Sequence, residues 1–339
     1  MKIRIRNSLI VLSVLVYGCT GQISDKYYNN GVAKYAMGDY NGALKEYTAA
    51  IKYNSDYAEA YYYRGLVKGA LGDSMGAISD YNKALKIKPG FSDVYIARGN
   101  AKSSFGDFQG ALNDYNKVTE IDPDNTLILS KRGIAKSRLH DYKGAISDFS
   151  KALEIGATSE MLYNERGTAR IDAGDFAGAI DDFSRVIEIN PNDPEGYLIR
   201  GKARETHSEF TEAIKDYDKA IELNPENATA CSGRGAVKMK VGDFSSALLD
   251  LNKALEINPE DLNSYNLRTF CKTELHDYLG ALKDSESALG LDPENSEAIY
   301  NRAIAEYNLG NTNGACADWK KASELGNEKA MEAYNKFCR

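Results

Sequence analysis

Apolar and small residues return along most of the chain in blocks separated by short polar turns, and the blocks hold a fixed phase. Gly31, Gly65, Gly99, Gly133, Gly167, Gly201 and Gly235 stand 34 residues apart, and Thr269 and Ala303 continue the series. Twelve residues after each comes an alanine: Ala43, Ala77, Ala111, Ala145, Ala179, Ala213, Ala247, Ala281 and Ala315. Counting the glycine as slot 8 gives nine units of 34 residues from Ser24 to Lys329, with no insertion or deletion. In each unit two stretches, roughly slots 1–14 and 17–31, space their apolar residues as one face of a helix does. A turn such as Gly72-Asp73 or Gly106-Asp107 divides them. The glycine can take the left-handed backbone that ends the first helix, and the aspartate can accept the free amide hydrogens that open the second. Six of the seven prolines occupy slot 32, where a residue without an amide hydrogen stops the second helix. The pattern predicts nine helical hairpins.

A helical glycine costs about 1 kcal/mol relative to alanine, so the recurrent slot 8 needs a compensating contact. Close approach of the second helix at its slot-20 alanine is the expected one. Tyr61, Leu71, Ile78, Tyr81, Leu85 and Ile87 are expected to point inward in the second unit. One hairpin cannot bury that face alone, so neighbours must stack to form the core. Tyrosines at slot 4 (Tyr27, Tyr61, Tyr95, Tyr163, Tyr197, Tyr265) are assigned to interhelix packing.

A 34-residue period with small residues at slots 8 and 20 resembles the tetratricopeptide repeat. The resemblance implies an all-α fold, a right-handed α-solenoid superhelix of nine helix-turn-helix repeats at 24–57, 58–91, 92–125, 126–159, 160–193, 194–227, 228–261, 262–295 and 296–329, with a C-terminal capping helix at 330–339. Glu328 to Cys338 reads as the short helix that covers the last hydrophobic face, and Trp319, at slot 24, as a core residue. Slot 7 departs from the usual aliphatic residue: it is arginine in every unit but the first, from Arg64 to Arg302, and slot 23 is aspartate in the same eight, from Asp80 to Asp318. This predicts a ladder of Arg–Asp pairs, within one hairpin or between neighbours. Gly156-Ala157-Thr158-Ser159 ends the fourth unit without proline and is read as a bend.

The first residues follow another pattern. Lys2, Arg4 and Arg6 precede an apolar run from Ser8 to Tyr17, too short to span a membrane comfortably and suited to an export signal. Leu15, Val16, Tyr17, Gly18 and Cys19 resemble the lipobox of bacterial lipoproteins. The resemblance implies a signal peptide at 1–18, acylation (palmitate among the chains) at Cys19, a tether at 19–23, and a protein lipid-anchored in the cell envelope, at the outer membrane or facing the periplasm. The alternative is a plain cleaved signal that leaves a free thiol. Cys231, Cys271, Cys316 and Cys338 match no metal or redox spacing; they are small core thiols, or Cys316 and Cys338 form a bridge that pins the C-terminus.

With 42 Lys+Arg against 49 Asp+Glu the net charge is −7, which argues against nucleic acid as a partner. Catalysis has little to work with. His140, His207 and His276 fall at or beside hairpin turns, and the sequence holds no phosphate loop, metal-ligand spacing or nucleophile elbow. No cofactor or metal is expected, and the protein reads as a non-enzyme.

In the resembled family the groove residues are slots 2, 5, 9, 12 and 13. Those positions supply the candidate partner-binding residues Tyr28, Tyr35, Tyr62, Leu66, Ile96, Asn100, Ile134, Arg138, Asn164, Leu198, Lys202, Phe270, Tyr300 and Ile304. Slots 2 and 5 contain no lysine, so the family's clamp for acidic chaperone tails is not expected. The apolar and neutral lining favours an extended or helical polypeptide from the cell envelope. The other readings are a structural spacer, a glycan binder using Tyr28, Tyr35 and Tyr62 as stacking platforms, or an enzyme with an unrecognised site.

Overall fold

The computed structural model describes residues 21–156 and 159–338. The signal segment 1–18, Cys19, and Ala157 and Thr158 of the expected bend lie outside the described residues. Every regular element among the described residues is an α-helix. The chain forms two compact units that divide between Ala169 and Arg170, inside the helix Glu160–Asp172. In the first unit the hairpins pair 21–36 with Tyr40–Tyr53, Ala58–Ala70 with Ser74–Ile87, Ser92–Ser104 with Phe108–Ile121, and Thr126–Arg138 with Tyr142–Glu154. In the second unit Phe176–Ile189 comes first. Pro194–Thr206 then pairs with Phe210–Leu223, Ala228–Lys240 with Phe244–Ile257, Leu262–Glu274 with Tyr278–Leu291, and Ser296–Asn308 with Thr312–Glu324, before the last helix Glu328–Phe337. Residues 21–23, assigned above to the tether, belong to the first helix. No helix among the described residues is long and apolar enough to cross a membrane.

Turn chemistry sets these boundaries. Asp39, Asp73, Asp107, Asp141, Asp175, Asp243 and Asp277 each accept the backbone N–H three residues on, at 2.8–3.1 Å, and so cap the second helices. Slot 15 is left-handed in all nine hairpins, including His140 (φ 61°), Ser208 (φ 65°) and His276 (φ 62°). Leu71, expected to point inward, is 42% exposed: it follows the last turn of its helix and faces solvent.

The slot-8 contact differs from the expected one. A Cβ on Gly31, Gly65, Gly99 or Gly133 would lie 2.5–2.7 Å from the ring of the slot-24 aromatic, Tyr47, Tyr81, Tyr115 or Phe149. In these four repeats the glycine makes room for a ring, whereas a Cβ on Gly235 would lie 3.0 Å from Leu251 and 3.3 Å from the carbonyl oxygen of the slot-20 Ala247. Cores continue from one hairpin into the next. Tyr81 and Leu85 share a cluster with Val94, and Leu129 and Phe149 share one with Leu162.

The charge ladder forms within hairpins. The Nε and Nη2 of Arg64, Arg98, Arg132, Arg200, Arg268 and Arg302 donate to both oxygens of the aspartate 16 residues on. Arg234 binds Asp250 in the same way. A second cation, at slot 11, completes seven of the eight aspartates, Lys68, Lys102, Lys136, Arg170, Arg204, Lys238 and Lys272 pairing with Asp80, Asp114, Asp148, Asp182, Asp216, Asp250 and Asp284, whereas Glu306 stands at that slot beside Asp318. The arginine Nη1 also reaches back to the preceding hairpin, to Asn82 from Arg98 and to Asn252 from Arg268. Slot-4 tyrosines lie under these guanidinium groups, with centroid distances of 5.4–5.8 Å in five repeats.

At the C-terminus, Ala330, Ala333 and Tyr334 cover the core of Ile299, Ala303, Ala315 and Trp319. Cys316 and Cys338 are bridged, with Cα atoms 5.7 Å apart, whereas Cys231 and Cys271 are buried free thiols.

Candidate functional site

Slots 5, 9 and 12 share one face of a helix by their spacing. Clefts open between that face of one first helix and slots 2, 5 and 9 of the next. In the first unit, Tyr62, Leu66, Ile96 and Asn100 come together in a cleft of about 360 Å³, with Tyr81 and Asp93. Asn100 and Ile134 line a second, of about 280 Å³, with Tyr115 and Lys131. Asn100 belongs to both. Its carbonyl oxygen accepts the Tyr115 hydroxyl proton at 3.0 Å, which leaves the amide N–H groups for a ligand.

The other first-unit candidates are elsewhere. The Tyr28 ring packs against Tyr47, Tyr57 and Tyr63, and that of Tyr35 against Tyr40 and Tyr63. Burial in this cluster, reinforced by Tyr63 and Glu59, pushes the Tyr28 phenol up to about 12. Burial likewise pushes Tyr62 up to about 12, with Asp93 adding to the effect. Arg138 is exposed; burial raises the Glu165 carboxyl, and the Arg138 charge opposes it. The Asn164 side-chain oxygen is buried with no hydrogen-bond partner among the described residues.

In the second unit, Lys202 borders a polar cleft of about 360 Å³ with Glu205, Tyr217, Thr229, Ser232 and Asp261. Small residues on the next helix, Ala228, Gly233 and Ala236, create the space. Glu205 is already occupied: it accepts the Tyr217 hydroxyl at 2.8 Å and pairs with Lys240 at 2.9 Å. Phe270, Tyr300 and Ile304 meet in a cleft of about 600 Å³ with Glu274, Glu297, Asn301 and Glu328.

Leu198 must be removed from the binding set. It is 4% exposed and packs with Ala213, Tyr217, Ala220, Ala230 and Val237, because the small Ala230 of the following hairpin lets the leucine into the core. Two kinds of lining residue were missed. The slot-24 rings Tyr81, Tyr115 and Tyr217 each line a cleft, a role hidden by their packing against slot 8. The acidic slot-2 residues Asp93 and Glu297 were legible from the same numbering that gave slots 5 and 9. His140, His207 and His276 sit exposed at the turns. Among the described residues no cluster of His, Cys, Asp or Glu is arranged to hold a metal ion.

Comparison with known proteins gives a consistent result. A family model described as "TPR repeat" matches residues 31–72 and 208–242, and one described as "Tetratricopeptide repeat" matches 58–91, 92–125 and 162–193. No curated protein gives a significant sequence match. The crystal structure of a tetratricopeptide repeat protein from Parabacteroides merdae aligns with 73% of this chain and 98% of its own, at 19% identity and a TM-score of 0.57. A MamA crystal structure is 28% identical over 50% of this chain and 92% of its own, with a TM-score of 0.47. YrrB, described as a TPR protein with an unusual peptide-binding site, is 26% identical over 54% and 95%, with a TM-score of 0.48. The family models place tetratricopeptide repeats at residues 31–125, 162–193 and 208–242, and the likeness to the P. merdae protein extends the same helical-hairpin fold over 73% of the chain.

Proposed function

We propose that the protein is a non-catalytic scaffold that holds polypeptide partners against the first-helix faces of its repeats. The observation that carries this reading is the pair of adjoining clefts that share Asn100. Leu66, Ile96 and Ile134 offer apolar contact at successive repeats, and the unspent Asn100 amide can donate to a peptide carbonyl between them. Apolar pockets in register with an unspent backbone-reading group suit an extended chain better than a small molecule. The repeat architecture supports the same class of function, because stacked hairpins present long continuous surfaces.

The proposal extends to location. Lys2, Arg4 and Arg6, the apolar run to Tyr17 and the Gly18-Cys19 junction support export and acylation at Cys19, with the folded body tethered in a cell envelope. Partners would then be envelope proteins. Labelled palmitate incorporated by the native chain and not by Cys19→Ser tests the anchor.

The binding reading is tested by crosslinking the full-length, detergent-solubilised protein in an envelope extract and mapping the adducts. Adducts on the peptides that carry Leu66, Ile96 and Ile134, lost in Leu66→Glu and Ile96→Glu variants that keep their helix content, are expected. Adducts scattered over the second helices, or turnover of a small substrate by micromolar protein, would overturn the reading.

A further inference from the structure

The largest of the four clefts differs from the others in charge. It lies between Leu262–Glu274, Ser296–Asn308 and the start of Glu328–Phe337, and each of these helices contributes a carboxylate: Glu274, Glu297 and Glu328. Among the described residues none of the three has an ion-pair or hydrogen-bond partner for its side chain, and Lys329 is the one cation in the lining. The carboxylates of the polar cleft are satisfied by contrast, Glu205 by Tyr217 and Lys240 and Asp261 by the Asn263 amide.

A second observation points to a ligand independently. Asn301 is 6% exposed, lines this cleft, and its amide has no partner among the described residues. Nine-tenths of the residue is enclosed, and the unbonded amide opens into the cleft, where it is free to bond a group that enters. The walls are apolar: Phe270, Tyr300 and Ile304. Burial raises the Tyr300 phenol, and the charge of Glu332 adds to the rise, so a fourth carboxylate stands near the ring.

This combination selects its occupant. An anion would meet three like charges, and a neutral side chain would leave three carboxylates and an amide unanswered. A bare metal ion is disfavoured because the carboxylates do not converge on one point. An elongated cation with an aliphatic stem fits both wall and rim, the stem lying on the rings and the head reaching the carboxylates. We propose that this cleft is a subsite for a lysine or arginine side chain of a polypeptide partner, its stem on Phe270, Tyr300 and Ile304, its charge among Glu274, Glu297 and Glu328, and the Asn301 amide bonded to the partner. The proposal rests on the scaffold reading and gives its partner a chemistry: a segment with a basic residue at this point.

Fluorescence anisotropy tests it, with the full-length protein in detergent and three labelled nonapeptides in which alanine alternates with lysine, norleucine or glutamate. The lysine peptide is expected to bind at least about tenfold more tightly than the other two, the ratio expected from one or two charge-assisted hydrogen bonds. Glu297→Gln/Glu328→Gln is expected to remove that advantage while leaving norleucine-peptide binding unchanged, and Phe270→Ala is expected to weaken the lysine peptide. Equal binding of the three peptides, no binding of the lysine peptide at millimolar concentration, or a double carboxamide variant that binds lysine peptide normally would overturn the subsite. Equal binding of the three peptides that is abolished by Leu66→Glu would leave the scaffold reading standing while the subsite fails; absence of binding by every peptide together with absence of crosslinked partners would remove both.

Discussion

Replacing Arg98 by alanine probes the charge ladder where its geometry is most complete. Asp114 is 2% exposed and accepts Arg98 Nε at 2.9 Å, Arg98 Nη2 at 2.5 Å and Lys102 Nζ at 2.9 Å. Arg98 Nη1 donates to Asn82 of the preceding hairpin at 2.6 Å, so the substitution removes a link between repeats as well as one within a repeat. Stranding a buried charge costs about 3–5 kcal/mol, but Lys102 remains beside Asp114 and holds the loss for Arg98→Ala to about 2–3 kcal/mol. Arg98→Ala/Lys102→Ala removes both cations, and about 3–5 kcal/mol is expected, the two changes being coupled because they share one partner. Urea denaturation followed by helix circular dichroism gives the free energies. Amide exchange across Phe108–Ile121 shows whether the loss is local, since repeat arrays need not unfold in one step. A loss under about 1 kcal/mol with unchanged exchange would place these pairs with ordinary surface ion pairs and refute the ladder as structural support.

Gly99→Ala should destabilise by about 1–3 kcal/mol despite alanine's better helix propensity, because its Cβ would lie 2.7 Å from the buried Tyr115 ring; Gly69→Ala, with nothing within 4 Å, should stabilise by about 0.4–1 kcal/mol, and thermal melts compare the two. Cys316→Ser/Cys338→Ser opens a link across 22 residues and should cost about 3 kcal/mol in the last hairpin, read as faster amide exchange in Glu328–Phe337. Alkaline titration followed by tyrosinate absorbance should show late ionisation. Burial raises Tyr28, Tyr62 and Tyr115 from 10.0 to about 12, so their contribution to stability is complete below the unfolded value and is lost as pH rises from 10.0 toward 12; ionisation of every tyrosine near 10.0 in the folded protein would contradict this.

The repeat was legible because its signals are local. The slot-15 turn, the aspartate caps and the terminal prolines act within one hairpin, and a fixed 34-residue spacing places each of them. Contacts between side chains were less so. Co-occurrence linked Arg98 with Asp114 but passed over Lys102, because slot 11 is not one residue type: it is lysine in six units, arginine in two and glutamate in the last. Slot 8 was paired with the small residue at slot 20, whereas in the first four repeats the glycine accommodates the long reach of a ring from slot 24. The bridge between Cys316 and Cys338 depended on a Cα separation that spacing cannot supply. At the binding surface, slot numbers identified the helix face and brought Tyr62, Leu66, Ile96 and Asn100 together, but exposure depends on the neighbour. Leu198 shows this: the same slot is open at Tyr300 and closed where Ala230 lets a leucine sink inward.

The central claim, that partners bind on the first-helix faces, is tested most directly by a photoreactive amino acid placed in living cells at Ile96 and Ile304 and, for comparison, at Lys83 and Leu249 on second helices. The account predicts discrete adducts from the two first-helix positions, and none of comparable yield from the other two. Equal yields at all four positions, or adducts confined to Lys83 and Leu249, would contradict it.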